Sequence, residues 1–197
     1  MSIQPISKTV LLFLLSVMAL ASPLSAQFKY EREYVVKERK VPQLAKDFVN
    51  SLPLHNKVKW YREEDLDGVS YEGKTWHDDH YFSIEFDSVG VLEDIEEIIE
   101  WEEIPTHTAL DIKNIISSDL APYVIEKIQI QYTGELEELF KIFSGQVSNA
   151  VLGIAYEVEV RGKTSEDFKL KEYLISQNGE LIREAEIIPR NTDNLEY

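Results

Sequence analysis

One phrase recurs in this chain and limits what it can fold into. In YFSIEFDSVGVLEDIEEIIEWEEIP, Tyr81 to Pro105, an alternating segment meets a turn ending in Gly90, and an acidic apolar run then closes on Ile104-Pro105. KEYLISQNGELIREAEIIP, Lys171 to Pro189, repeats that order, with Gly179 at the turn and Ile188-Pro189 at the close. The closing words stand a third time in REYVVKERKVP, which ends on Val41-Pro42. Strict alternation puts successive side chains on opposite faces of a strand, and a glycine-ended turn folds such a strand back on the next. The recurrence predicts a duplicated, sheet-forming unit.

The remaining segments fill in that unit. Gln27 to Lys40 alternates loosely and predicts a strand. Val41-Pro42 opens a helix whose stripe is Leu44, Phe48 and Leu52 with Val41, Ala45 and Val49, and Pro53 stops it. Strands are expected over Lys57–Glu64, Val69–Trp76 and His80–Asp87, with Asp67-Gly68 suited to the first hairpin turn. Val91 to Glu103 fits a helical stripe (Leu92, Ile95, Ile98, Ile99) and an alternating one; its later counterpart, with Leu181, Ala185 and Ile187, favours strand. A second helix follows Pro105 through Ala109, Ile112, Ile115 and Ile116 and ends before Pro122. Val124–Tyr132, Gly153–Arg161, Phe168–Ser176 and Glu180–Ile188 are the next strands, and Gly134 to Gly145 is a short amphipathic helical insert around Phe140 and Phe143. Residues 190–197 read as a tail.

The expected fold is therefore α+β: a tandem unit of one helix and four antiparallel strands, at 41–103 and 104–189. Joined edge to edge, the two units give one sheet of about eight strands, since separate units would leave edges exposed. Helices cover one face. The other is open, polar and rich in aromatics, as an antiparallel sheet permits.

Residues 1–26 read as an address and not as structure. Lys8, the apolar run Val10 to Leu20 and the small residues of ASPLSA have the layout of a secretory signal peptide, with cleavage expected after Ala26 or, second, after Ala21. The apolar run is shorter than the ~20 residues of a membrane span, and no cysteine follows it to carry a lipid. Periplasmic or secreted residence is expected. The chain holds no cysteine, so stability must come from burial alone. Its 20 basic residues face 36 acidic ones, a net charge of −16, which disfavours nucleic acid and anionic membranes and fits either a cationic partner or plain solubility outside the cell.

With Val41-Pro42, Trp60, Tyr71-Glu72, Phe86-Asp87, Gly90 and Ile104-Pro105 in the first unit, and Tyr156-Glu157-Val158, Gly179 and Ile188-Pro189 in the second, the chain resembles the PepSY-like, beta-lactamase-inhibitor-like family of exported bacterial proteins. The resemblance covers nearly everything after the leader. It implies the tandem fold above and an exported, non-enzymatic binding or inhibitor-like module. Such a module would use its open sheet face and a hairpin loop, here Gly73 to Asp79, on a protein or peptide partner. On this reading the partner-binding residues are Trp60, Tyr71, Trp76, His77, Asp78, Asp79 and Tyr156.

The alternative is an envelope protein that binds a metal or small ligand. In WHDDH, His77 and His80 beside Asp78 and Asp79 have the donor types of a transition-metal site, although a hairpin turn is polar in any case. Glu93, Asp94, Glu96, Glu97, Glu100, Glu102 and Glu103 form an acidic run able to attract cations or simply to solvate an edge. Glu63 to Gly68 lacks the twelfth-position Glu of a calcium loop, having Lys74 there. No GxSxG, HExxH or phosphate-binding loop appears, and no cofactor is expected.

Overall fold

The computed structural model describes residues 27–29, 32–64, 68–144 and 152–188; the leader, the Asp67 position of the first hairpin and the tail lie outside them. Ten strands form one sheet: β1 (Gln27–Lys29), β2 (Glu33–Val35), β3 (Lys59–Glu64), β4 (Val69–His77), β5 (His80–Phe86), β6 (Leu92–Ile98), β7 (Tyr123–Thr133), β8 (Gly153–Lys163), β9 (Phe168–Ser176) and β10 (Leu181–Ile187). Among the described residues three α-helices accompany them: α1 (Gln43–Ser51), α2 (Thr106–Asp119) and α3 (Leu136–Ile142). The sheet order is β1-β10-β9-β8-β7-β6-β5-β4-β3-β2. All neighbours are antiparallel except β1 and β10. The α+β class is as expected, with helix-plus-four-strand runs meeting at β6 and β7.

The segment from Gln27 to Lys40 differs from the single strand expected of it. It supplies two three-residue strands at opposite edges of the sheet, followed by a 3-10 turn at Glu38–Lys40. Laid flat, ten strands would be roughly 43 Å wide. Yet the four residue steps from Lys29 to Glu33 span at most ~14 Å. The sheet must therefore roll until its two edges nearly meet. This covers both edges with a short strand of the same chain and gives the open face its concavity.

Helices pack on the convex side over two apolar clusters. One joins α1 to Trp60, Phe82, Ile84, Phe86 and Ile95; the other joins Ile112, Ile116 and Leu120 of α2 to Val158, Val160, Tyr173 and Ile175. The insert α3 packs by Leu139, Ile142 and the following Phe143 on the first cluster, so the second half of the chain helps cover the first.

The two glycine turns are built alike. At the first, Asp87 Oδ1 accepts from the N–H groups of Val89 (2.9 Å) and Val91 (2.8 Å). At the second, Ser176 Oγ accepts from those of Asn178 (3.3 Å) and Glu180 (3.1 Å). Gly90 (φ +92°) and Gly179 (φ +81°) close them in the left-handed region and lie against the neighbouring helix. A Cβ on Gly90 would stand 2.7 Å from Pro42 Cβ and 2.9 Å from the Ala45 nitrogen, a wall with no flexible tip. Gly90→Ala should cost ~2–4 kcal/mol, read as a lower urea midpoint. Gly68→Ala, whose added Cβ meets nothing within 4 Å, should cost ~1 kcal/mol from backbone strain alone.

The acidic phrase does not run as one strand to Glu103. Its ladder ends at Ile98, and a 3-10 turn at Trp101–Glu103 follows, with the Glu103 carboxylate accepting from the Glu100 N–H at 2.7 Å. Ile104 is then buried ahead of Pro105 and α2, as Val41 is ahead of Pro42 and α1.

Candidate functional site: the concave sheet face

Alternation decides what the open face carries. In β5, Phe82, Ile84 and Phe86 point under the helices, so Tyr81, Ser83 and Glu85 point the other way. Register carries this outward: Glu85 sits opposite Glu72 on β4 and Asp94 on β6, Ser83 opposite Glu96, and Gln129 opposite Glu157. A bulge between Glu85 and Phe86 lets Glu93 join Asp94 on the same side. The result is a concavity of about 730 Å³ to which every strand contributes. Glu33, Glu63, Glu72, Glu85, Glu93, Asp94, Glu96 and Glu157 supply eight carboxylates, against the four cations Lys29, Lys74, Lys127 and Arg183.

Those cations are engaged with carboxylates around the edges of the face. Lys74 Nζ lies 2.6 Å from Glu33 and 2.9 Å from Glu72. Lys29 pairs with Glu172 and Lys127 with Glu159. Arg183 stands 2.8 Å from Glu172 and 3.7 Å from Glu157. Burial would lower the Lys74 pKa, but Glu72 and Glu33 outweigh it and hold the ammonium form.

The middle of the face is crowded with carboxyl groups that burial and one another hold toward the protonated form. Burial, then Glu96 and Asp94, pushes the Glu85 carboxyl well above the usual carboxylate range. Burial, then Glu157 and Asp94, does the same to Glu96. Burial, with Glu93 beside it, raises Asp94 to about 7. Burial, with Glu172 beside it, raises Glu157 to about 7 against the pull of Lys29, Lys127 and Arg183. Two glutamine amides are the nearest donors: Gln129 Nε2 donates to Glu96 at 2.8 Å, and Gln131 Nε2 to Asp94 at 3.2 Å.

The residues singled out from sequence divide between the two sides of the sheet. Trp60 and Tyr156 belong to the buried cores under the helices, with 5% and 4% of their surface exposed, and Tyr71 packs against the same layer. Trp60 covers Gly73, its partner across β3 and β4, where a Cβ would stand 3.3 Å from the indole. An open-face role for these three is corrected by the strand phase: large rings fill the helix-covered side.

His77 is also buried there. Its Nε2–H donates to the Phe143 carbonyl at 2.9 Å, and its ring lies 6.0 Å from that of His55. His80, opposite His77, has its Nδ1 2.5 Å from Glu97. The two imidazoles thus have separate partners, and neither is in the carboxylate groups close enough to share an ion. Gly73 to His77 is strand, so the loop expected at Gly73–Asp79 is only the turn Asp78-Asp79, both at positive φ (47° and 68°). Of the rings singled out from sequence, Trp76 points outward on the open side, 55% exposed and edge-on at 5.1 Å to Tyr81, which lines the same face.

The acidic run splits too. Glu93, Asp94 and Glu96 face the concavity, Glu97 lies on the helix side with Tyr132 and His80, and the remaining acids sit in or beside the 3-10 turn. Glu72, Glu85 and Glu157 complete the face without having been singled out for it. The signal for them was present: each neighbours a core aromatic or aliphatic in an alternating strand.

No family model and no curated protein matches the chain. Among solved structures the chain is similar to a BLIP-like protein from Bacteroides fragilis, at 14% sequence identity and a TM-score of 0.45, over 77% of this chain and 90% of that one.

Proposed function

We propose that this protein is an exported, non-catalytic binding module that takes a cationic segment of a protein or peptide partner onto its concave sheet face. One observation carries the reading: all ten strands line a single open face on which carboxylates outnumber cations by two to one. A basic segment entering the face would favour the charged form of the carboxyls whose pKa burial now raises, a gain that an acidic segment does not meet. Trp76, exposed beside Tyr81 near one end of the face, offers the rigid aromatic anchor on which interfaces concentrate their energy. We read the chain from 41 to 189 as two copies of one helix-and-four-strand unit, in line with the matched turns at Gly90 and Gly179. Among the described residues no helix is long and apolar enough to cross a membrane.

The test is capture of a partner from an envelope extract on the immobilised protein. A basic protein or peptide should be retained at low salt and released as salt rises. Trp76→Ala should weaken its binding by ~2 kcal/mol, and the double reversal Glu63→Lys/Glu93→Lys should weaken it at least about tenfold, ~1.4 kcal/mol. Retention of the same protein by both variants at wild-type strength would place the contact elsewhere.

A further inference from the structure

The concave face holds two triads of carboxylates whose oxygens lie within 4.8 Å of one another, Glu33/Glu63/Glu72 and Glu85/Asp94/Glu96. They differ in what neutralises them. The first has Lys74 bound to two of its members. The second, among the described residues, has no lysine or arginine in an ion pair with any member, while Lys29, Lys127 and Arg183 are engaged on other carboxylates.

A second observation points to a ligand there. Gln129 is 4% exposed and hydrogen-bonds Glu96 through Nε2, yet its buried Oε1 has no partner. Asp94 Oδ1, within the triad, is likewise buried without a donor. Buried acceptors left unmatched are uncommon and costly. A half-turn of the Gln129 amide would bring its oxygen to the position Nε2 now holds, 2.8 Å from Glu96. That is where a shared cation needs it.

We propose that Glu85, Asp94 and Glu96, with the Gln129 amide oxygen, form a site for one hard divalent cation, Ca²⁺ before the others. Every donor is oxygen, which suits Ca²⁺, Mg²⁺ or Mn²⁺ and disfavours the nitrogen- and sulfur-seeking metals. Two oxygens on one Ca²⁺ at 2.3–2.6 Å stand at most ~5 Å apart, a limit this triad meets. Mg²⁺ sets a tighter limit, about 4.2 Å between two of its oxygens, and holds its own waters more strongly. Waters in the open concavity complete the coordination. The site stands independently of what fills the rest of the face.

The test is calorimetric titration of the purified, metal-stripped protein with CaCl₂, MgCl₂ and MnCl₂ at pH 7.5 and 5.5. One equivalent of Ca²⁺ should bind with a Kd of ~0.1–1 mM or tighter. Binding should weaken at pH 5.5, where protons compete with the cation for the carboxylate oxygens. Asp94→Asn and Glu96→Gln should each weaken it at least tenfold while keeping wild-type Tm or exceeding it. Glu33→Gln, in the triad that Lys74 already occupies, should leave it unchanged. Absence of saturable heat, or equal affinity in the Asp94 and Glu96 variants, overturns the site. Partner capture repeated in EDTA separates the two readings, since capture that survives chelation stands whatever the cation result.

Discussion

Phe86→Ala is expected to lower the unfolding free energy by about 3–5 kcal/mol, the largest loss of any single truncation in the first half of the chain. Phe86 has no exposed surface. Its ring meets Phe48 of α1 at 6.0 Å, edge to face, and Trp60 of β3 at 5.9 Å, so it joins the helix to two strands of the sheet. Removing it leaves a cavity lined by rings that cannot all close in. With no cysteine in the chain, no crosslink limits the unfolded state and the whole loss shows in stability. Urea unfolding followed by tryptophan fluorescence measures it. Phe168→Ala, at a position 63% exposed, is the control and should stay within ~0.5 kcal/mol. Because β6 pairs with β7 across the midline, both halves should melt in one transition. A loss below ~1 kcal/mol would mean that Phe86 does not hold α1 to the sheet.

Most strands and all three α-helices were legible in the sequence because period and punctuation agree there. Phe82, Ile84 and Phe86 alternate between turns, and Ile112, Ile115 and Ile116 repeat at helical spacing between Pro105 and Pro122. The two edge strands were not. Three-residue pairings such as Gln27–Lys29 on β10 are set by where the rolled sheet brings its edges, a long-range outcome with no local period. The candidate site was half legible for a related reason. Alternation sorts a strand into two faces without saying which face a helix will cover. Placing Trp60 and Tyr156 on the open side gave large rings to solvent, whereas burial of ring area decides the phase. Once the rings go inward, Glu72 and Glu157 must turn outward, and the acidic face follows from the same residues. His77 and His80 carried the opposite lesson. They are adjacent across a hairpin, but Phe143 from the insert and Glu97 from β6 take them as separate partners, contacts no local spacing encodes.

The acidic face also fixes how stability should respond to pH. Glu85, Asp94, Glu96 and Glu157 all have pKa values raised above those of the unfolded chain, with burial the first cause in each. Between the unfolded values near 4 and the raised ones, for Asp94 and Glu157 about 7, the folded protein therefore binds more protons than the unfolded one. Stability from these groups is fully present below pH ~4 and falls as pH rises through the folded values. The slope is ~1.4 kcal/mol per pH unit for each proton retained only in the folded state. Mutual coupling keeps the four from titrating together and spreads the change, for a total of a few kcal/mol between pH 5 and 8. The net charge of −16 works in the same direction. Thermal unfolding in metal-free buffer should accordingly give a higher Tm at pH 5.5 than at pH 8, contrary to a chain whose carboxylates are chiefly salt-bridged. The double variant Asp94→Asn/Glu96→Gln should flatten that profile by raising the alkaline limb and leaving the acid limb in place. A wild-type Tm that rises from pH 5.5 to 8 would show that these carboxylates are matched by positive charge in the folded protein. If the profile flattens instead when Ca²⁺ is added to the wild type, one cation is doing at the centre of the sheet what the two amide substitutions do.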